Sequence, residues 1–321
     1  MKKEIISASI FSGFLFGVLF SFINVHGQQE YNFEKCREAE MHSFAGFQSG
    51  ILSSASKKNY NITYSSCNWA IDPAINYITG SVTYYFISGE NNFDTLTLDL
   101  ADPMNVDSVV YNQSAITFLH NNNQLDILLP VSLSTGTIDS VIIFYQGAPA
   151  PIGFGSFIHA DHSGTPVIWT LSEPFGAQDW WPCNQDLDDK IDSIDIYVTS
   201  PVQYKTASNG LLVREDSTIN RRTCHWKSNY PIAAYLVAIG VTNYSVFSEQ
   251  MILTNGDTLP IINYVYPENI LLAQQVLHEI IDIIHLYDSL TIPYPFSKEK
   301  YGHAQFGWGG GMEHQTMSFI G

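Results

Sequence analysis

From Tyr77 to Gln146 the sequence repeats one small pattern, a short stretch that alternates apolar and polar side chains followed by a cluster of turn formers. "YITGSVTYYFIS", "FDTLTLDL", "VDSVVY", "AITFLH", "QLDILLP" and "TIDSVIIFYQ" are separated by "GENN", "ADP", "HNNN" and "STG". A period of two puts alternate side chains on opposite faces, and β-branched and aromatic residues suit a pleated, half-buried surface. Each stretch therefore predicts a strand. Many short strands at such spacing predict an antiparallel sandwich or barrel. Further strands are expected at 166–171, 191–199, 202–208, 222–228 and 232–242, with no internal repeat.

The texture changes near residue 265. "PENILLAQQVLHEIIDIIHLYDSL" starts with Pro267 and places Ile270, Ala273, Val276, Leu277, Ile280, Ile284 and Tyr287 at three- and four-residue steps. That is the apolar stripe of an amphipathic helix, which Pro293 and Pro295 end. The predicted division is a polar lead-in at 28–69, a β-sandwich at 70–250 and the start of an α+β region at 251–321. The last part is small for an independent core.

The first 27 residues read as an export leader. Lys2 and Lys3 precede an apolar run from about Ile5 to Ile23, and Val25 and Gly27 suit a cleavage site before Gln28. An uncleaved anchor is the alternative, which Ser7, Ser9, Ser12 and Ser21 disfavour by interrupting the run. No later stretch is expected to span a bilayer, so the processed chain is expected to be secreted, periplasmic or at the cell surface. A formal net charge of −17 argues against a nucleic-acid partner, which needs clustered Lys and Arg. Export makes Cys36, Cys67, Cys183 and Cys224 candidates for disulfides, with Cys36 and Cys67 near enough in sequence to pair. None has the CxxC spacing of a zinc site.

Several polar stretches invite a chemical reading and fall short of it. "HEIID" puts Asp282 where a zinc-binding HExxH needs its second histidine, so His278 and Asp282 read as a surface pair on the helix. "HADHSG" (His159, Asp161, His162) and "NQDLDDK" (Asp186, Asp188, Asp189) read as solvated loops. No P-loop, dinucleotide fingerprint or nucleophile elbow is present. "WTLSEPFGAQDWWPCNQDLDDK" is more distinctive: Trp169, Trp180 and Trp181 with Pro174 and Pro182 surround Glu173 and Gln178. It reads either as an aromatic plug between sheets or as a frame that holds a carboxylate partly dehydrated, ready for a cation.

"GWGGGMEHQTM" (307–317) carries the most specific chemistry. Glycines expose backbone N–H and C=O groups to which an extended peptide can add as a strand. Glu313, directly after them, is placed to receive that peptide's α-ammonium through a charge-assisted bond. A flexible glycine loop is the bland alternative.

Together these stretches resemble the zinc aminopeptidases of the aminopeptidase N type. "GGGMEH" is similar to the family's G-x-M-E-N motif at Gly310, Gly311, Met312 and Glu313. "SEP…WWPCNQD" resembles the family segment ending in PC-x-D, with Glu173 at the position of a substrate-binding glutamine or glutamate. "YPIAAYLVAIGVTNYSV" and "YDSLTIPYPFSKEKYG" resemble the flanking family segments, in compatible order over about residues 70–321. The resemblance implies a saddle-like β-sandwich followed by the start of a thermolysin-like catalytic domain. It implies that Glu313 and Glu173 grip a free N-terminus, that Gly310 and Gly311 bind the peptide backbone, and that Met312 and His314 belong to the same site. His314 replaces the usual asparagine and adds a group expected to titrate near neutral pH; Gln178 stands where an arginine is common. The family's zinc, held by HExxH and a later glutamate, is implied for the full-length enzyme, but neither ligand set is in this chain. The chain alone is therefore expected to be inactive. The competing expectation is a secreted β-sandwich, or an inactive homologue, that binds peptide or protein without cutting it.

Overall fold

A computed structural model describes residues 58–150 and 155–321. The leader and most of the lead-in lie outside those residues. The described chain is mainly β and divides into two compact units, 58–242 and Asn243–Gly321.

The first unit begins with β1 (Tyr60–Ile71), β2 (Ile78–Ser88), β3 (Phe93–Asp99), β4 (Asn105–Tyr111), β5 (Ser114–Ile116), β6 (Phe118–Asn121), β7 (Gln124–Leu133) and β8 (Ile138–Gly147). It continues with β9 (Ser156–His162), β10 (Thr165–Leu171), β11 (Ile194–Pro201), β12 (Lys205–Ser208), β13 (Leu211–Ser217), β14 (Arg221–Ser228) and β15 (Ile239–Thr242). Eight of these form a sheet in the order β13-β14-β11-β1-β2-β8-β4-β5; β12-β15-β10-β9 and β3-β7-β6 form two smaller sheets. The alternation that predicted β2 is visible in its burial: Ile78, Val82, Tyr84 and Phe86 point inward and Tyr85 outward.

Three local readings are corrected. β1 starts inside the stretch read as an extended lead-in and lies at the centre of the large sheet, antiparallel to β2 and parallel to β11. Its alternation is disguised by a register shift between Ile62 and Tyr64: Tyr60 and Ile62 are buried before it, Ser65, Cys67, Trp69 and Ile71 after it. One extra residue moves the inward positions from even to odd numbers. "HADHSG" is not a loop but the end of β9 and its hairpin turn to β10. Ser163 (φ +48°) and Gly164 (φ +79°) give the two positive-φ residues that a tight hairpin needs. Finally, Cys67, Cys183 and Cys224 are buried thiols that form no disulfide with one another, and the suggested partner Cys36 lies outside the described residues.

The tryptophan-rich segment is the core of this unit. Trp180 and Trp181 are fully buried and meet Trp69 with ring centroids 4.8 and 5.9 Å away. Their backbone is tied to the large sheet: Tyr84 Oη donates to the Pro182 carbonyl (2.6 Å) and Tyr145 Oη to that of Trp180 (3.1 Å). Trp180 Nε1 donates to Ser172 Oγ (3.0 Å), which removes the penalty of burying an indole N–H.

The second unit holds β16 (Ser245–Ile252), β17 (Thr258–Val265), α1 (Ile270–Val276), α2 (Ile280–Leu290), β18 (Tyr301–Gln305), β19 (Gly311–Met312) and β20 (Ser318–Ile320). Its sheet has the order β16-β17-β18-β20-β19. The predicted helix is present but split by a 3-10 turn at Leu277–Glu279. Ile280, Ile284 and Tyr287 of the predicted stripe, joined by Ile283, pack with Leu259, Ile261 and Tyr301. Towards its N-terminal end the stripe is less buried, with Ile270 and Ala273 half-buried and Val276 37% exposed, and Leu271 and Leu272, which lie off the stripe, are exposed. Contrary to the expectation that no later stretch would qualify, Pro267–Leu290 (24 residues) contains an 18-residue window with a mean hydropathy of 1.2, long and apolar enough to cross a bilayer by length and composition.

Candidate functional site

β18 runs into Phe306, and the chain then loops through 307–310 before β19 pairs with β20. The loop is closed at its base. Phe306 N donates to the Ile320 carbonyl (3.0 Å) and Gly321 N to that of Gly310 (2.9 Å). Gly311 and Met312 face Ile320 and Phe319 across the ladder. Because β19 is the last strand in the order, its other backbone edge carries no further strand among the described residues. An edge of this kind is a template for an added strand.

The glycines differ in what they require. A Cβ at Gly310 would lie 2.4 Å from the Trp308 ring, so Gly310 is needed for packing within the loop itself. A Cβ at Gly309 would meet nothing within 4 Å, so no neighbour in the chain demands a glycine there.

Glu313 follows the last ladder pair and is half-buried. Met312 beneath it is 1% exposed and anchors the strand. His314 is buried against Phe319, with ring centroids 4.6 Å apart, and neither ring nitrogen has a hydrogen-bond partner among the described residues. Desolvation pushes its pKa down to about 3, so the imidazole stays neutral near pH 7. The expectation that it titrates near neutrality is therefore overturned. Gly310, Gly311, Met312, Glu313 and His314 thus form one continuous feature at the sheet edge.

Glu173 belongs to the first unit, between β10 and the 3-10 turn Ala177–Asp179. It is exposed, while the tryptophans around it in sequence point into the core. The segment is thus an aromatic plug, and those rings do not dehydrate the carboxylate. The remaining polar candidates take structural roles. His162 Nε2 lies 3.0 Å from Thr242 Oγ1, and His278 Nδ1 lies 2.8 Å from Glu249 Oε1. In "NQDLDDK", Asn184 Nδ2 donates to Asp189 Oδ2 (2.7 Å).

Sequence reasoning passed over Lys300, His303 and Asn263. Lys300 and His303 are fully buried, and His303 Nδ1 lies 2.8 Å from Asn263 Oδ1 on the adjacent strand. Burial lowers the His303 pKa to about 3 and that of Lys300 to about 7. Their signal was "KEKYGHAQF", a charged stretch leading into a strand with no polar alternation. Among the described residues no three His, Cys, Asp or Glu side chains converge as a metal site. The described residues therefore do not fit a zinc ion, and no step is derived through one.

No protein-family model and no curated protein sequence matches the chain. Solved structures do. An M1 zinc metallopeptidase from Deinococcus radiodurans superposes with a TM-score of 0.69 at 18% identity, over 82% of this chain and 60% of that one. A mutant M1 zinc metallopeptidase from the same organism, bound to a Tyr-Ser-Ala substrate, gives 0.70 at 18% identity over 82% and 61%. Native yeast LTA4 hydrolase gives 0.67 at 17% identity over 82% and 40%. The chain shares their fold and spans about three-fifths of the length of the first two.

Proposed function

We propose that this chain is the substrate-recognising front part of an exported zinc-dependent aminopeptidase. The observation that carries the reading is the glycine stretch at an open sheet edge, with a half-buried carboxylate directly after its last paired residue. A peptide entering as a sixth strand forms main-chain hydrogen bonds with Gly311, while Gly310, whose carbonyl already accepts from Gly321 N, lets the peptide backbone approach. Its α-ammonium then reaches Glu313, which measures the substrate from its free end. Glu173 keeps only the substrate-binding role that the family resemblance implies for it, and Met312 and His314 are proposed as the buried support of Glu313. Fold similarity to M1 zinc metallopeptidases, one of them bound to Tyr-Ser-Ala, supports this reading.

The zinc that the family resemblance implies would supply the hydrolytic chemistry, and no three His, Cys, Asp or Glu side chains among the described residues would hold it. This chain alone is proposed to bind peptide without cutting it. Export rests on the leader at 1–27.

The test compares full-length protein acting on a peptide with a free N-terminus and on its Nα-acetylated form. The free peptide should be cleaved much faster, and Glu313→Ala should reduce that rate by about ten- to a hundredfold, the worth of a charged hydrogen bond. Equal cleavage of blocked and free peptides would contradict an aminopeptidase. Peptide binding without cleavage in zinc-supplemented full-length protein would favour a non-catalytic binding module.

A further inference from the structure

Lys300 is fully buried at the start of β18, and its Nζ donates to the Thr316 carbonyl at 3.0 Å and lies 3.4 Å from Thr316 Oγ1. Burying an ammonium is costly unless it is well hydrogen-bonded, and an apolar side chain of similar volume would avoid that cost. The cost is visible in the lowered pKa, to about 7, which the neighbouring Glu299 opposes.

Thr316 is itself in an uncommon state. Its φ is +65°, a left-handed conformation that is rare for a β-branched residue and persists only where its surroundings impose it. It sits in the turn closed by Met317 N donating to the His314 carbonyl (3.0 Å). Glu313 immediately precedes that turn. On its other side, Met312 is fixed by its pairing with Phe319. Lys300 is in turn immobile: Tyr294 Oη donates to its carbonyl (3.0 Å), and Tyr301 Oη next to it donates to Ser318 Oγ (3.2 Å).

We infer that Lys300 is a positioning residue for the amine site, holding the 314–317 turn through Thr316 so that Glu313 is presented at a fixed point beyond β19. This rests on the reading of Glu313 as the amine anchor. Two strong constraints on either side of one carboxylate are what precise placement of a substrate terminus requires.

The experiment measures, by titration calorimetry on full-length protein depleted of metal with a chelator so that the free peptide is not consumed, the affinities of Tyr-Ser-Ala and Nα-acetyl-Tyr-Ser-Ala. Their ratio reports amine recognition separately from backbone binding. Glu313→Gln should collapse the ratio. Lys300→Met should lower it about tenfold, equivalent to one weakened charged hydrogen bond, while the acetylated peptide binds within twofold of wild type. Lys300→Arg should restore part of it. Thr316→Gly, whose backbone tolerates the left-handed φ, loosens the same turn and should lower the ratio several-fold; it decides the matter if Lys300→Met fails to fold. If Glu313→Gln collapses the ratio but folded Lys300→Met and Thr316→Gly keep it, the role of Lys300 is overturned alone. A Lys300→Met protein that weakens both peptides equally also overturns it, because that is a general structural effect. If Glu313→Gln leaves the ratio unchanged, the amine-anchor reading fails and this inference fails with it.

Discussion

The two compact units bury polar groups in different ways. In the first, buried donors mostly close on neutral acceptors nearby: Trp180 Nε1 on Ser172 Oγ, Tyr84 Oη on the Pro182 carbonyl, Asn209 Nδ2 on the Leu236 carbonyl. Trp181 leaves its indole N–H without a partner among the described residues, but an indole carries no charge to lose. The second unit, much shorter, buries Lys300, His303 and His314, and leaves His303 Nε2, Asn263 Nδ2 and both His314 nitrogens without partners among the described residues. The first unit pairs its buried carboxylates, Asp195 with His225 and Asp179 with Ser156, whereas the second leaves buried imidazole nitrogens unpartnered among the described residues, a pattern associated with functional sites.

Acid should separate the units most strongly. His303 and His314 have lowered pKa values, so below about pH 6.5 an unfolded chain binds protons that the folded unit refuses. Stability is then lost as pH falls from about 6.5 toward 3, by about 1.4 kcal/mol per pH unit for each imidazole. Hydrogen exchange followed by mass spectrometry should show peptides from 300–321 losing protection before peptides from 165–185. Simultaneous loss would break the comparison.

Trp180→Ala should have the next largest effect, about 3–5 kcal/mol from loss of a fully buried ring. Denaturant midpoints check the size, and exchange should place the damage in the first unit. Lys300→Met sharpens the contrast with the opposite sign. Above about pH 7 the folded protein releases a proton that the unfolded chain keeps to about pH 10, so wild-type stability should rise across that window. The variant should lack this rise and be the more stable protein at pH 6, as thermal melts at several pH values will show. The smallest pair concerns the loop. Gly310→Ala should cost about 1–3 kcal/mol through its clash with Trp308. Gly309→Ala should change stability by less than about 0.5 kcal/mol, and a peptide-affinity measurement tells whether that open position faces a ligand.

The strands with clean alternation, such as β2 and β8, were legible in the sequence because one face is buried and the other wet. β1 was not, since its register shift breaks the period between Ile62 and Ser65. β13 was not either, since six of its seven residues are exposed and the stretch has no apolar rhythm. In the proposed site, the glycines and Glu313 stand out in the sequence because backbone exposure and charge are local properties. Lys300 could not: its meaning depends on Thr316, a contact made only when β18 and β20 pair in parallel. The burial of His314 likewise comes from Phe319 across the β19–β20 ladder, which no local pattern encodes.

The most direct measurement is a crystal structure of the metal-depleted full-length protein with bound, uncleaved Tyr-Ser-Ala. The account predicts an extended peptide paired along Gly311–Met312, with its α-ammonium within hydrogen-bond distance of the Glu313 carboxylate. A peptide bound elsewhere, or paired there with its N-terminus pointing away from Glu313, would contradict it.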